Sequence, residues 1–237
     1  MGITTMKCAI MQPTYLPWAG YFSMINEVDC FVFFDDVQFV RRSWQQRNRI
    51  NFKNTEKWLT IPVKKTGLRN QLINQVEILD TSWKQGHLEM LKQAYKDSNF
   101  FEEVIKLFSE GIIDMQSNKL VDYNINFIET ILKYLEIETK LLRSSEISIY
   151  GKKSEYLLGI CEELGASVYL SAPGSIDYIE NEGYFKKSNI ELSVFEFKQY
   201  PYAKSNYIPY LSILDMVANI GIKETSIYLK NSKGAAQ

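Results

Sequence analysis

The segment from Gln12 to Arg49, QPTYLPWAGYFSMINEVDCFVFFDDVQFVRRSWQQRNR, concentrates the side chains of this chain that can do chemistry. A Pro/Gly-punctuated aromatic loop leads to adjacent carboxylates, Asp35 and Asp36, and then to Arg41, Arg42, Arg47 and Arg49. A core-facing segment has no use for so many ionisable groups, and the stretch therefore reads as a site. Asp35 and Asp36 fit three roles: oxygen ligands for a divalent ion, a general base, or structural partners of the arginines. Neighbouring residues of an extended chain point to opposite faces, so the expectation is one carboxylate acting in a cleft and the other paired with arginine. Guanidinium forks match phosphate and carboxylate oxygens. Arg42, Arg47 and Arg49, with Asn48 among them and Lys64 and Lys65 further on, therefore read as a grip for the diphosphate of a nucleotide-activated sugar. The bland alternative is a solvated basic loop.

His87 is the single histidine, so a two-histidine metal site within one chain is excluded and any imidazole chemistry is one proton shuttle. In WKQGHLEMLKQAY it falls in an early helical turn, where the positive end of the helix dipole favours a neutral, basic imidazole. In QPTYLPWAGYF, Gln12 offers an amide, while Tyr15, Trp18 and Tyr21 offer rings that stack on a sugar or base; the alternative is a turn packed on its own helix. YLSAPGSIDYI reads as strand, turn and helix, with Ser171, Ser175, Asp177 and Tyr178 as contact candidates for an anion. It carries neither GxSxG nor GxxxxGKS, so no hydrolase elbow or P-loop is assigned. No metal is assigned either.

These groups must be positioned by alternating strands and helices. KCAIM and CFVFF are apolar runs of the kind found inside parallel sheets, and YFSMINEV between them has helical spacing, which makes a βαβ unit. Asp35 and Asp36 then fall at the carboxyl end of the second strand, where open α/β sheets bind ligands. KWLTIPV reads as a third strand and NQLINQVEIL as a fourth. The pattern turns helical from about 82 to 135, TKLLR and SVYLS read as strands with the helix KSEYLLGICEELGA between them, IELSVFEFKQY as one more strand, and SILDMVANIG as the last helix. The expected fold is α/β, a mostly parallel Rossmann-like sheet with a helical subdomain. Its portions are 1–80 (α/β, with the site), 81–140 (helical) and 141–237 (α/β again, sharing the first portion's sheet).

With 27 basic and 28 acidic residues, the chain lacks the cation excess of a duplex-binding surface, so no nucleic-acid partner is expected. The three cysteines have no CxxC spacing, and the expectation is reduced, buried thiols in a cytoplasmic protein. No stretch approaches the roughly 20 apolar residues of a membrane span, and Met at the sixth position argues against myristoylation of Gly2. KNSKGAAQ reads as a frayed tail.

The blocks QPTYLPWAGYF, DDVQFVRRSWQQRNRI, WLTIPV, WKQGHLEMLKQAY, RSSEI with GKKSEYL, YLSAPGSIDYI and IPYLSILDMVANIG occur in this order. On them the chain resembles the WbqC-like proteins of bacterial gene clusters for O-antigen and other surface polysaccharides. The resemblance implies a place in building a surface glycan such as lipopolysaccharide and does not itself supply a reaction. QPTYLPWAGYF also looks like a degenerate HxGH loop of nucleotidylyltransferases, with Trp18 and Tyr21 around Gly20 in place of the histidines. Neither ring can replace imidazolium as a cationic phosphate ligand, so nucleotidyl transfer is not expected.

Residues and resemblance together give an expected transferase that acylates or aminoacylates the amine of a nucleotide-linked amino sugar. The nucleotide sugar is the small-molecule substrate, an acyl donor is expected, and no resident cofactor is assigned. Asp35, Asp36 or His87 would deprotonate the amine. The alternatives are a glycosyltransferase, for which DDV is not the usual DxD, and a non-catalytic glycan-assembly protein, for which four Trp and 15 Tyr would suffice.

Overall fold

The computed structural model describes residues 5–64, 66–68, 70–203 and 207–231. Lys65, Gly2 and residues 232–237 of the expected tail lie outside them. In chain order the elements are β1 (Lys7–Met11), α1 (Ala19–Ile25), β2 (Cys30–Phe33), β3 (Arg47–Phe52), β4 (Thr55–Thr60), α2 (Ser82–Tyr95), α3 (Phe101–Phe108), α4 (Leu120–Tyr134), β5 (Lys140–Arg143), α5 (Lys153–Glu163), β6 (Val168–Ser171), α6 (Ile176–Glu182), β7 (Glu191–Val194) and α7 (Ile213–Asn231).

Five strands form one parallel sheet in the order β5-β2-β1-β6-β7, flanked by helices. Its strands come from both ends of the chain. The reason for the apolar runs of the inner strands β1, β2 and β6 is burial on both faces, whereas the edge strands β5 and β7 are more exposed. Ala9, Phe31, Phe33 and Leu170 pack into a large core with α1, α2, α3, α4 and α7, whereas Cys8, Ile10, Cys30, Val32 and Tyr169 pack against α5 and α6. The three cysteines, distant in sequence, meet on that second face: Cys8 lies opposite Cys30 in the β1–β2 register, and its Sγ is 3.5 Å from that of Cys161. All three are reduced, and burial pushes the Cys30 thiol up to about 11. Counting sheet strands alone, the order is 3-2-1-4-5, that of doubly wound folds, with the reversal of direction between β1 and β6.

KWLTIPV is not a third strand of this sheet. Its first four residues, Lys57–Thr60, belong to β4, which pairs antiparallel with β3 in a separate hairpin, turned by Lys53 and Asn54, both with positive φ (53° and 63°) as a type I′ turn requires. NQLINQVEIL forms no strand. It makes a short 3-10 turn at Ile73–Gln75 and isolated bridges at Leu72, Glu77 and Ile78, because its backbone groups bond one at a time to three different segments. The last helix is broken at Gly221 (φ 77°, ψ 167°), beyond which the Ile222 N–H donates to Glu103 Oε2 at 2.7 Å. Glu103 thus caps a second helical stretch from another helix. Among the described residues no helix is long and apolar enough to cross a membrane.

Candidate functional site

Two adjoining chambers of about 310 and 390 Å³ open beyond the carboxyl ends of the central strands and share Met11, Thr14 and Trp44. The larger lies at the switch point between β1 and β6, lined by Ile10, Gln12, Tyr169 and Ala172 together with Gln45, Ser175 and Tyr178. The smaller is walled by Trp18, Tyr21, Asn48, Arg49 and Tyr210. Open α/β sheets bind ligands at this position because the loops leaving adjacent strands diverge there and leave a crevice.

The loop after β1 is held from outside itself. Asn48 Nδ2 donates to the carbonyls of Tyr15 (3.1 Å) and Leu16 (2.8 Å), the latter at φ 43°, while Asn48 Oδ1 accepts the Arg49 N–H. From α4, Asn124 Nδ2 donates to the Pro13 and Gln45 carbonyls at 3.2 and 2.8 Å. Trp18 folds back over Gly20, where a β-carbon would lie 2.2 Å from the indole, and meets Phe197 and Tyr210 edge-on at 5.2 Å. The glycine of PWAG is therefore a seat for the tryptophan.

Gln12 has a defined orientation. The Val40 N–H can only donate, so the oxygen it meets at 3.0 Å is Gln45 Oε1; Gln45 therefore presents Nε2, which donates to Gln12 Oε1 at 2.7 Å. Gln12 is left with its Nε2 donors for the larger chamber, and Thr14 lines both chambers. Tyr21 donates its hydroxyl to the Gln12 carbonyl at 3.2 Å, and burial raises its pKa. Burial also raises the pKa of Tyr178, which therefore stays a phenol at neutral pH.

The carboxylates lie elsewhere. Asp35 is fully buried and accepts from Arg143 Nε (2.7 Å), Ser145 N–H (3.0 Å) and Ser145 Oγ (2.9 Å). Asp36 accepts from Ser144 Oγ and Tyr156 Oη, each at 2.5 Å. The cleft role expected for one of them is corrected: both are spent tying the β2 exit to the residues after β5 and to α5, and the arginine paired with Asp35 comes from β5 instead of the nearby basic run. His87 is enclosed by Tyr15 and Trp83, its Nδ1 2.8 Å from the Tyr15 hydroxyl, and burial pushes its pKa down to about 4. The imidazole is neutral, as expected, but the cause is burial and it faces the buried side of the loop.

The remaining candidates divide. Gln12, Trp18, Tyr21, Asn48, Arg49, Ser175 and Tyr178 are brought together along the cleft. Tyr15 and Ser171 are buried behind it, Ser171 donating to the Ala172 carbonyl at 3.2 Å. Arg47 stacks on Trp58 on the hairpin. Arg42 and Asp177 are exposed outside both linings, and Lys64 pairs with Glu77 at 2.7 Å away from them. Thr14, Trp44, Gln45 and Tyr210 were not singled out from sequence. Trp44 and Gln45 lie within the run RRSWQQRNR, whose arginines dominate its sequence signal; Tyr210 carries no local signal and arrives through the Ser212 N–H bond to the Arg49 carbonyl at 3.0 Å. Among the described residues, no carboxylate, imidazole or lysine lines either chamber.

The family described as the WbqC-like protein family matches residues 12–227, which takes in the cleft's lining residues apart from Ile10 and Met11 at the end of β1. The chain belongs to the WbqC-like family. An uncharacterized protein, Rv1507c of Mycobacterium tuberculosis (strain ATCC 25618 / H37Rv), is 32% identical over 227 residues, covering 94% of this chain and 97% of that protein. No solved structure matches this WbqC-like chain.

Proposed function

We propose that this WbqC-like protein is a transferase of bacterial surface-polysaccharide assembly that acylates or aminoacylates the amine of a nucleotide-linked amino sugar. The observation that carries the reading is the pair of joined chambers at the switch point, one aromatic and one amide- and hydroxyl-lined, which suits two substrates meeting at Thr14. The sugar stacks on Trp18, Tyr21 and Tyr210, with Arg49 at the diphosphate. The activated acyl group enters the larger chamber with its carbonyl oxygen toward Gln12 Nε2.

The amine nitrogen attacks the carbonyl carbon, the oxygen takes up negative charge beside Gln12 Nε2, and the carbon–leaving-group bond breaks to give the amide. The ammonium proton leaves with the departing group or to water. An amine with the pKa of an α-amino group, about 8, is roughly a tenth unprotonated at pH 7, so proximity to an activated acyl group does the work and no protein base is required. Glycosyl transfer would call for carboxylates free to hold a metal at the diphosphate; Asp35 and Asp36 are spent on other partners, Glu56 is paired with Arg49, and among the described residues no carboxylate lines either chamber, which ranks it second.

The test incubates the protein with nucleotide-linked amino sugars and a panel of acyl and aminoacyl donors and looks for the amide mass increment. Gln12→Ala should lower kcat by roughly 100- to 1,000-fold, the loss of one oxyanion donor, with little change in KM. The rate should rise with pH through the amine's own pKa. No amide from any donor, or full activity in Gln12→Ala, would sink the reading.

A further inference from the structure

Two tryptophans at the mouth of the cleft stand in solvent. Trp44 and Trp58 are 47% and 40% exposed, which is unusual for side chains with so much apolar surface to bury. Their rings lie 5.4 Å apart at an interplanar angle of 31°. The β3–β4 register sets Arg49 directly opposite Trp58, and the Arg49 guanidinium lies 5.3 Å from the Trp44 ring and 5.7 Å from that of Trp58. Arg47, two residues back on the same strand face, sits 4.2 Å over Trp58. The two arginines differ in charge balance: Arg49 is paired with Glu56 at 2.6 Å, whereas Arg47 has neither a carboxylate nor a hydrogen-bond acceptor among the described residues, its Nε enclosed without one.

An exposed indole pair offers a flat apolar surface, and an unneutralised guanidinium beside it offers charge. A neutral saccharide would use the first and leave the second idle. A nucleoside diphosphate uses both, through the π-face of its base and its phosphate oxygens.

We propose that Trp44, Trp58 and Arg47 form a docking ledge for a nucleoside diphosphate, the base stacking on the indoles and the phosphates reaching from Arg47 to Arg49. The proposal rests on the reaction above only for what lies beyond the diphosphate, namely the sugar it would deliver into the aromatic chamber. Stacking accepts the π-face of any base, so the ledge discriminates weakly between nucleotides.

Binding of UDP, GDP, uridine and inorganic pyrophosphate is measured by calorimetry on the full chain. UDP and GDP should bind with Kd values within several-fold of each other, and Trp58→Ala should weaken both by roughly 5- to 150-fold, the range for one stacked base. Trp58→Phe, which keeps a ring, should stay within several-fold of the wild type, and thermal denaturation checks that each variant is folded. Arg47→Ala should weaken UDP and pyrophosphate and leave uridine unchanged. Unchanged Kd in Trp58→Ala, or binding of neither diphosphate by the wild type, overturns the ledge. Diphosphate binding without amide formation from any donor would sink the reaction and leave the ledge standing. Equal acylation of free and nucleotide-linked amino sugars by wild type and Trp58→Ala would do the reverse.

Discussion

Replacing Asp35 by Asn removes one negative charge from a position without water contact and leaves the side chain's size unchanged. In the wild type the carboxylate collects four donors: Arg143 Nε, the Ser145 N–H, the Ser145 hydroxyl and, at 3.3 Å, the Ser144 hydroxyl that it shares with Asp36. An amide offers one acceptor oxygen, and its NH2 then faces a group that can only donate. Breaking a buried ion pair by removing one partner costs about 3–5 kcal/mol. Arg143 is partly exposed and keeps Asp122 at 3.5 Å, which places the loss near the lower end, about 3 kcal/mol. For a chain of this size that lowers Tm by roughly 6–12 °C, at about 2–4 °C per kcal/mol. The assay is thermal and urea denaturation of Asp35→Asn beside acyl-transfer turnover at a temperature where both proteins are folded. A lower Tm with turnover retained is the expected result. Turnover abolished with Tm within about 2 °C of the wild type would refute the reasoning and restore Asp35 as a catalytic group.

Three further outcomes follow from single positions. His87 has a folded pKa of about 4 against about 6.5 unfolded, so the unfolded chain binds the extra proton between those values. His87 therefore contributes stability that is full above pH 6.5 and is lost as pH falls toward 4, at most about 3 kcal/mol; His87→Gln should flatten that limb in urea titrations run at pH 4.5 and 7.5. Gly20→Ala puts a β-carbon 2.2 Å from Trp18 and should drive the indole into the smaller chamber, raising KM for the nucleotide sugar while costing about 1–3 kcal/mol in denaturation. Gly221→Ala must hold φ near 77° with its β-carbon 2.6 Å from the Phe100 ring; it should destabilise by about 1–3 kcal/mol or more and loosen the second stretch of α7 in hydrogen exchange, with the cleft unchanged.

The sheet was readable because strands buried on both faces carry an uninterrupted apolar signal, as in KCAIM and CFVFF. The hairpin was not. RNRINF alternates half-buried Arg47 and Arg49 with buried Asn48 and Ile50, and composition alone presents that pattern as a charged loop. The aromatic and amide side of the site was legible in QPTYLPWAG, whose punctuation marks the turn after β1. Adjacent carboxylates attract catalytic readings, yet the roles of Asp35 and Asp36 depend on Arg143, Ser144, Ser145 and Tyr156, more than a hundred residues away. Sequence spacing carries no trace of such partners.

The placement of β1 bears on synthesis. Of the sheet's five strands it leaves the ribosome before the other four and lies in the middle, flanked by β2 on one side and by β6, some 160 residues later, on the other. At about 5–20 residues per second that flank stays unpaired for roughly 8–30 s, while only the β2 side can be occupied. The nascent chain thus carries an open apolar edge until β6 emerges, the condition in which holding chaperones matter most, and the cleft between β1 and β6 cannot exist before then.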